Sequence, residues 1–322
     1  MLLYPSFHRT IRRANETDTS LDWRCPGRRA TVIYRRGSVL YLNTSHLVSY
    51  YGSAAAKDVV CTYHEKKKVV TRKRRIRGER PVNVLVLGID STSRLNFDCH
   101  MKRTRKLLTE ELFAFEFLGY NKVGESSFGN QIPLLTGLAG DDVEGLFRNL
   151  TIDKLPHLWS IYKKRGYATL FLDEMPSFGL FVYRDYQGFR EPPTVYYPVL
   201  VMHAMEVHKG LDYFGAGSRL KTKLNAANRN PLFLYVWLSD VPHSNSHALL
   251  VLEGPLHGLL RNMQERLLFD DTVVILLSDH GARFGTARAS ETGRHEDKNP
   301  FGLIVLPQRL LRRYPTVAVN LE

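Results

Sequence analysis

The sequence predicts an α/β fold, with a mostly parallel central sheet flanked by helices and a small β-rich lobe at the N-terminus. Three observations carry this expectation. Val82–Ile89 is an almost unbroken apolar run of strand length, which reads as a strand buried on both faces. Thr272–Leu277 has the same form. From Pro81 onward such runs alternate with helical patterns. Both runs end in chemistry, the first in Asp90 and the second in Ser278, Asp279, His280 and Gly281. Ligands of open α/β sheets bind beyond the carboxyl ends of the strands. Two strands that deliver carboxylates and an imidazole there point to one metal held between them.

Taken in order, residues 1–64 form the β-rich region. Ala30–Tyr34, Ser38–Leu42 and Val59–Tyr63 read as short strands between Gly and polar turns. Residues 65–80 form a basic linker, and residues 81–322 form the α/β domain. Within it, Met101–Glu111 reads as a helix and Phe113–Tyr120 as a strand. Gly124–Ser127 reads as a polar turn feeding a short helix, and Leu155–Arg165 as a helix ending before Gly166. Tyr167–Leu172 is a strand ending at Asp173 and Glu174. Pro231–Leu238 is a strand ending at Ser239 and Asp240. Gly258–Leu268 is a helix, and Phe301–Leu306 is the last strand. Residues 175–230 are aromatic and read as a cap over the site, although such clusters are more often core.

The 322 residues are 43% hydrophobic, ample for a sizeable core, and carry a formal net charge of +13. Much of that excess sits in Glu65–Arg80, which has no interleaved aromatics and belongs to no recognisable nucleic-acid module. It reads as a solvated linker, so a nucleic-acid partner is not expected. Three cysteines are too few for a disulfide scaffold, although Cys25 and Cys61 could pair. Asn15, Asn43 and Asn149 each begin a glycosylation sequon, which tilts the reading towards the secretory lumen or the exterior. The first thirty residues hold no apolar core of a signal peptide, and no run of ~20 apolar residues occurs.

Four strands end in an acid: Asp90, Asp173, Asp240 and Asp279. Helix capping explains any one of them alone, but Asp279 followed directly by His280 is harder to dismiss. Ser127 is the candidate nucleophile, a weak one until coordination lowers its pKa. At a helix N-terminus it would have backbone N–H groups beside it for a phosphoryl oxygen, and the side chain of Asn130 would add a donor to the same oxyanion. An ordinary helix cap is the alternative reading of Ser127.

These residues together resemble the alkaline-phosphatase superfamily, which includes sulfatases, nucleotide phosphodiesterases and lipoteichoic-acid synthases. The match is nearest to the animal branch called domain of unknown function 229. It rests on Val86–Arg94, Asn121–Gly124, Leu158–Trp159, Gly166–Tyr167, Gly188–Phe189 and Ser278–Gly285. Ser127–Gly137 is similar to a segment of the phosphodiesterase branch whose first residue is the nucleophile. The resemblance implies a divalent metal, Zn2+ or Mn2+, held by Asp90, Ser127, Asp279 and His280. It also implies members longer than this chain, so a missing C-terminal part is expected. Two-metal relatives would add ligands, for which Asp240, His247 and His295 are candidates, and His243 is a candidate for substrate or leaving-group contact, for that second metal, or for a structural role. Sulfatases place Pro and Arg after their oxidised residue, where this chain has Gly129 and Gln131. A formylglycine sulfatase is therefore disfavoured.

The reading that follows is a metal-dependent hydrolase or transferase of phosphate esters or phosphodiesters, acting on an anionic substrate such as a glycan or lipid headgroup through a covalent phospho-enzyme. The rival is a catalytically silent extracellular binding module of the same fold.

Overall fold

The computed structural model describes residues 33–36, 39–42, 81–147, 152–182, 188–199, 202–203, 230–244, 248–283 and 286–321. Asn15, Asn43, Asn149, Cys25, Cys61, His247, the expected strand Val59–Tyr63 and the basic run 65–80 lie outside them. So does most of the expected cap. The chain divides into two units, Met1–Arg74 and Arg75–Glu322. In the first, Ile33–Arg36 (β1) pairs antiparallel with Val39–Leu42 (β2), with Ile33 opposite Leu42.

The second unit is built on a six-stranded mixed sheet. Asn83–Ile89 (β3) lies at its centre. It is followed by Arg94–His100 (α1), Lys102–Lys106 (α2), Phe115–Glu116 (β4), Ser127–Thr136 (α3), Gly140–Phe147 (α4) and Leu158–Lys164 (α5). Then come Ala168–Asp173 (β5), Leu232–Leu238 (β6), Asp240–Ser244 (α6), Leu249–Glu265 (α7), Thr272–Leu277 (β7), Glu291–Lys298 (α8) and Gly302–Val305 (β8). Gln308–Arg313 (α9) and Pro315–Leu321 (α10) close the described chain. The strand order is β4-β8-β7-β3-β6-β5. The four strands β7, β3, β6 and β5 run parallel, and β8 runs antiparallel to both of its neighbours.

The apolar runs are nearly continuous because both sheet faces are covered. Alternation along each strand separates them. Leu85, Leu87 and Ile89 of β3 and Leu232, Leu234 and Val236 of β6 face one core with Leu252, Leu256 and Leu260 of α7. Val84, Val86, Phe233, Tyr235 and Trp237 face the other, with Ile132 and Leu135 of α3 and Trp159 of α5. Among the described residues, three of the aromatics assigned to a cap, Phe181, Phe189 and Tyr197, belong to this second core or pack on it, while Phe178 is exposed. Phe181 and Phe189 are buried and stack edge-on at 4.6 Å, and Tyr197 stacks on Phe171 at 5.7 Å.

Several boundaries differ from expectation. The helix expected over 101–111 begins earlier, because the Ser93 hydroxyl accepts from the Asn96 N–H at 3.0 Å and caps α1. It breaks at Met101 and ends in a π turn over Leu107–Glu111. Of the strand expected over 113–120, Phe115–Glu116 pairs with β8. Helix α7 starts at Leu249 and runs through Pro255, since the stripe Leu249, Leu252, Leu256, Leu260 and Met263 rewards burial more than one lost hydrogen bond costs. No helix among the described residues is long and apolar enough to cross a membrane.

Two contacts make the fold testable. Trp237 lies flat over Gly88 in the adjacent strand, and a Cβ on Gly88 would fall 1.8 Å from the indole. Gly88→Ala is expected to cost about 3 kcal/mol or more, read as a lowered urea midpoint. An unchanged midpoint would show that this contact is not a constraint. At the end of β5, the carboxylate of Glu174 accepts from the backbone N–H groups of Ser239 at 2.9 Å and Asp240 at 3.1 Å. Burial pushes its pKa from 4.5 up to about 7, against the pull of those two donors. Between these values the folded protein keeps a proton that the unfolded chain has released, so stability falls as pH rises through that window. Glu174→Gln keeps an oxygen acceptor and removes the titration. From pH 4 to 8, wild type should lose about 3 kcal/mol more than the variant, and parallel curves would refute the assignment.

Candidate metal and nucleophile site

The site begins with strand register. Gly88 pairs with Leu277, and carrying that register two residues further sets Asp90 level with Asp279. The chain then turns sharply. Ser91 adopts a left-handed conformation at φ 54°, uncommon for a residue with a side chain. This turn lets its N–H donate to Asp279 Oδ1 at 3.2 Å while its hydroxyl donates to Asp90 Oδ1 at 3.0 Å. Ser278 ties the two strand ends together: its Oγ accepts from the Thr92 N–H at 3.0 Å and donates to the His280 carbonyl at 3.0 Å.

His280 completes a group with the two carboxylates. Nδ1 lies 2.8 Å from the Gly281 carbonyl, a bond that requires the proton on Nδ1 and leaves Nε2 as a lone pair. Nε2 stands 3.7 Å from Asp90 Oδ1 and 3.6 Å from Asp279 Oδ2. Ligand atoms of all three residues lie within 4.8 Å of one another, and all three side chains are buried. Asp279 Oδ2 is buried with no hydrogen-bond partner. A buried carboxylate oxygen without a donor is costly, and a cation between these residues would remove that cost. Burial, and then the Asp279 charge, raises the Asp90 pKa well above the carboxylate range. The donor set therefore fits a divalent metal.

Ser127 reaches the same point from the other side. It opens α3, with Ser126 in the cap position. Its Oγ is 3.4 Å from Asp90 Oδ1 and 3.3 Å from His280 Nε2. The loop before it is held against the helix backbone to backbone: a Cβ on Gly124 would come within 2.7 Å of Gly129, and one on Gly140 within 2.9 Å. Asn130 has a role other than the expected one. Its Oδ1 accepts from the N–H groups of Val123 and Gly124 at 2.7 and 2.8 Å, and its Nδ2 donates to the carbonyls of Gly124 and Ser126 at 2.9 Å each. Both amide hydrogens are engaged, so Asn130 fastens the loop that presents Ser127 in place of donating to an oxyanion.

Two of the second-metal candidates, Asp240 and His295, are not part of this group. Asp240 begins the helical turn of α6, His295 is exposed on α8, and the group gathered among the described residues is Asp90, Asp279 and His280. His243, exposed on α6, feels this neighbourhood. Burial lowers its pKa, the charge of Arg283 lowers it further, and Asp279 opposes them. Arg94 donates to the Leu118 carbonyl at 2.9 Å.

Sequence reasoning passed over several residues. Ser91 and Ser278 are small polar neighbours of the acids, a signal too common to read. Lys122 bonds the buried carboxylate of Asp297 at 2.9 Å, and Arg288 reaches the same oxygen at 2.9 Å, pinning the loop before Ser127 to α8. Ser93 donates to Glu296 at 2.7 Å. Arg283, three residues beyond His280, donates to the Glu125 carbonyl at 2.8 Å.

Among solved structures, the chain is similar in outline to a protein in the alkaline phosphatase superfamily from Vibrio parahaemolyticus, at 14% identity and TM-score 0.49 over 70% of this chain and 60% of that one. It is similar to the C-terminal periplasmic domain of EcEptC from Escherichia coli at 10% identity and TM-score 0.47, over 74% and 76%. It is similar to Ps i-CgsB, seen with k-i-k-neocarrahexaose, at 12% identity and TM-score 0.47, over 71% of this chain and 66% of that one. The chain thus spans less than two thirds of the first and third of these. No curated protein matches it in sequence. The sequence profile described as "Protein of unknown function (DUF229)" matches residues 42–322, and the chain belongs to that family.

Proposed function

We propose that the protein is a metal-dependent hydrolase or transferase of phosphate esters or phosphodiesters, with Ser127 as nucleophile. One observation carries this: the Ser127 hydroxyl stands 3.4 Å from Asp90 Oδ1 and 3.3 Å from His280 Nε2, against two members of the Asp–Asp–His group. A helix cap does not need such neighbours. Asp90, Asp279 and His280 would hold the ion, and Zn2+ or Mn2+ suits a site of two carboxylates and one imidazole. When bound, the metal would lower the pKa of the serine hydroxyl and offset charge on the phosphoryl oxygens.

The protein's own part is as follows. Ser127 Oγ attacks phosphorus, the bond to the leaving alcohol breaks, and a seryl phosphoester forms. Asp90 Oδ1 is the carboxylate oxygen closest to the serine proton. The first turn of α3 leaves backbone N–H groups without helical partners beside the developing oxyanion. His243 stands on α6, where a leaving group would depart. Water completes hydrolysis of the seryl ester, or an acceptor alcohol completes transfer. Gly129 and Gln131, in place of the sulfatase Pro and Arg, count against a formylglycine route. The secretory lumen or exterior is our reading of the compartment, resting on the three sequons.

Elemental analysis of the purified protein should find about one equivalent of zinc or manganese, and Asp279→Ala should lose it. Ser127→Ala should keep the metal and lose at least about 10³-fold in turnover of p-nitrophenyl phosphate or bis-p-nitrophenyl phosphate. Metal-free, inactive wild type with a cooperative unfolding transition would favour the silent binding module instead.

A further inference from the structure

We infer that Arg283 is the residue that binds the tetrahedral anion of the substrate, bridging the loop after β7 to the loop that presents Ser127. The inference rests on the metal and nucleophile reading above. Arg283 lies three residues beyond His280, in the chain that leaves the site. It donates through Nη1 to the Glu125 carbonyl at 2.8 Å, two residues before Ser127. Its guanidinium is thus anchored to the serine side of the site while its backbone belongs to the metal side. A planar fork of N–H donors in that position suits the oxygens of a phosphate or sulfate group.

Charge balance points the same way. Two carboxylates and one divalent ion sum to zero, so an anionic ester entering the site leaves its own charge uncompensated. Lys122, in the same loop as Glu125, is committed to Asp297 and Glu125 at 2.9 and 3.0 Å.

The test is calorimetric titration of metal-loaded wild type, Arg283→Met and Arg283→Lys with inorganic phosphate and, in a second arm, inorganic sulfate. Metal content and urea midpoint are measured on the same samples. Wild type should bind at least one of the two anions. Arg283→Met should bind it about 10- to 100-fold more weakly, with metal content and midpoint unchanged, and Arg283→Lys should recover part of the loss. The arm with tighter binding identifies phosphate or sulfate as the group recognised. Equal affinity in wild type and Arg283→Met would overturn the inference and leave the metal site standing. So would a loss of metal in Arg283→Met, which marks a structural role, or a metal-loaded wild type that binds neither anion. Wild type that takes up no metal would remove the site reading itself, and this inference with it.

Discussion

The parallel pairing of β3 with β7 is the constraint from which the rest of the site descends. Gly88 opposite Leu277 forces Asp90 and Asp279 to the same level, one strand spacing apart. Two carboxylates placed there by backbone hydrogen bonds cannot relax away from each other, because both strands are buried on both faces. Burial, and after it the Asp279 charge, raises the Asp90 pKa, and one Asp279 oxygen is left without a hydrogen-bond partner. The sheet therefore holds an unfavourable arrangement that a cation would relieve, as expected where function, not stability, sets the residues.

The remaining parts serve to bring a hydroxyl to that point. Ser127 comes from a different segment, between β4 and α4, and nothing in the sheet register places it. Its position depends on Asn130 clasping the 123–126 loop, on the close backbone approach of Gly124 to Gly129, and on Lys122 bonding to buried Asp297. Each of these is local and short-range. A buried ion pair contributes little net stability but loses much when one partner is removed. Lys122 and Asp297 are better understood as fixing the geometry of the loop than as adding to stability.

How much of this was legible in the sequence follows from range. The strands β3, β6 and β7 were readable because burial on both faces writes a continuous apolar run. The acids at their ends were readable because a strand terminus is a fixed place. The DUF229 membership was legible from Val86–Arg94 and Ser278–Gly285 together with the shorter matches between them. Helix limits were not, since Ser93 capping and the α7 stripe depend on contacts that local propensity does not contain. The role of Asn130 was misread for the same reason: an amide near a nucleophile suggests an oxyanion donor, and only the loop wrapped around it reveals four bonds to the backbone. The aromatics after Glu174 were read as a cap, yet Phe181 and Phe189 complete a core whose other members lie in β5 and β6.

Arg283 illustrates the opposite case, a residue unremarkable in sequence that acquires meaning from its partner. In the chain it is one of many arginines. In the fold its side chain returns across the site to the Glu125 carbonyl, so it links the two segments that must move together if Ser127 is to stay aligned with Asp90 and His280. A long, flexible cation tied at its tip loses less freedom on meeting an anion than one hanging in solvent. Preorganisation of that kind, more than any single ligand, would separate a site arranged for an anionic ester from a fold that carries the acids alone.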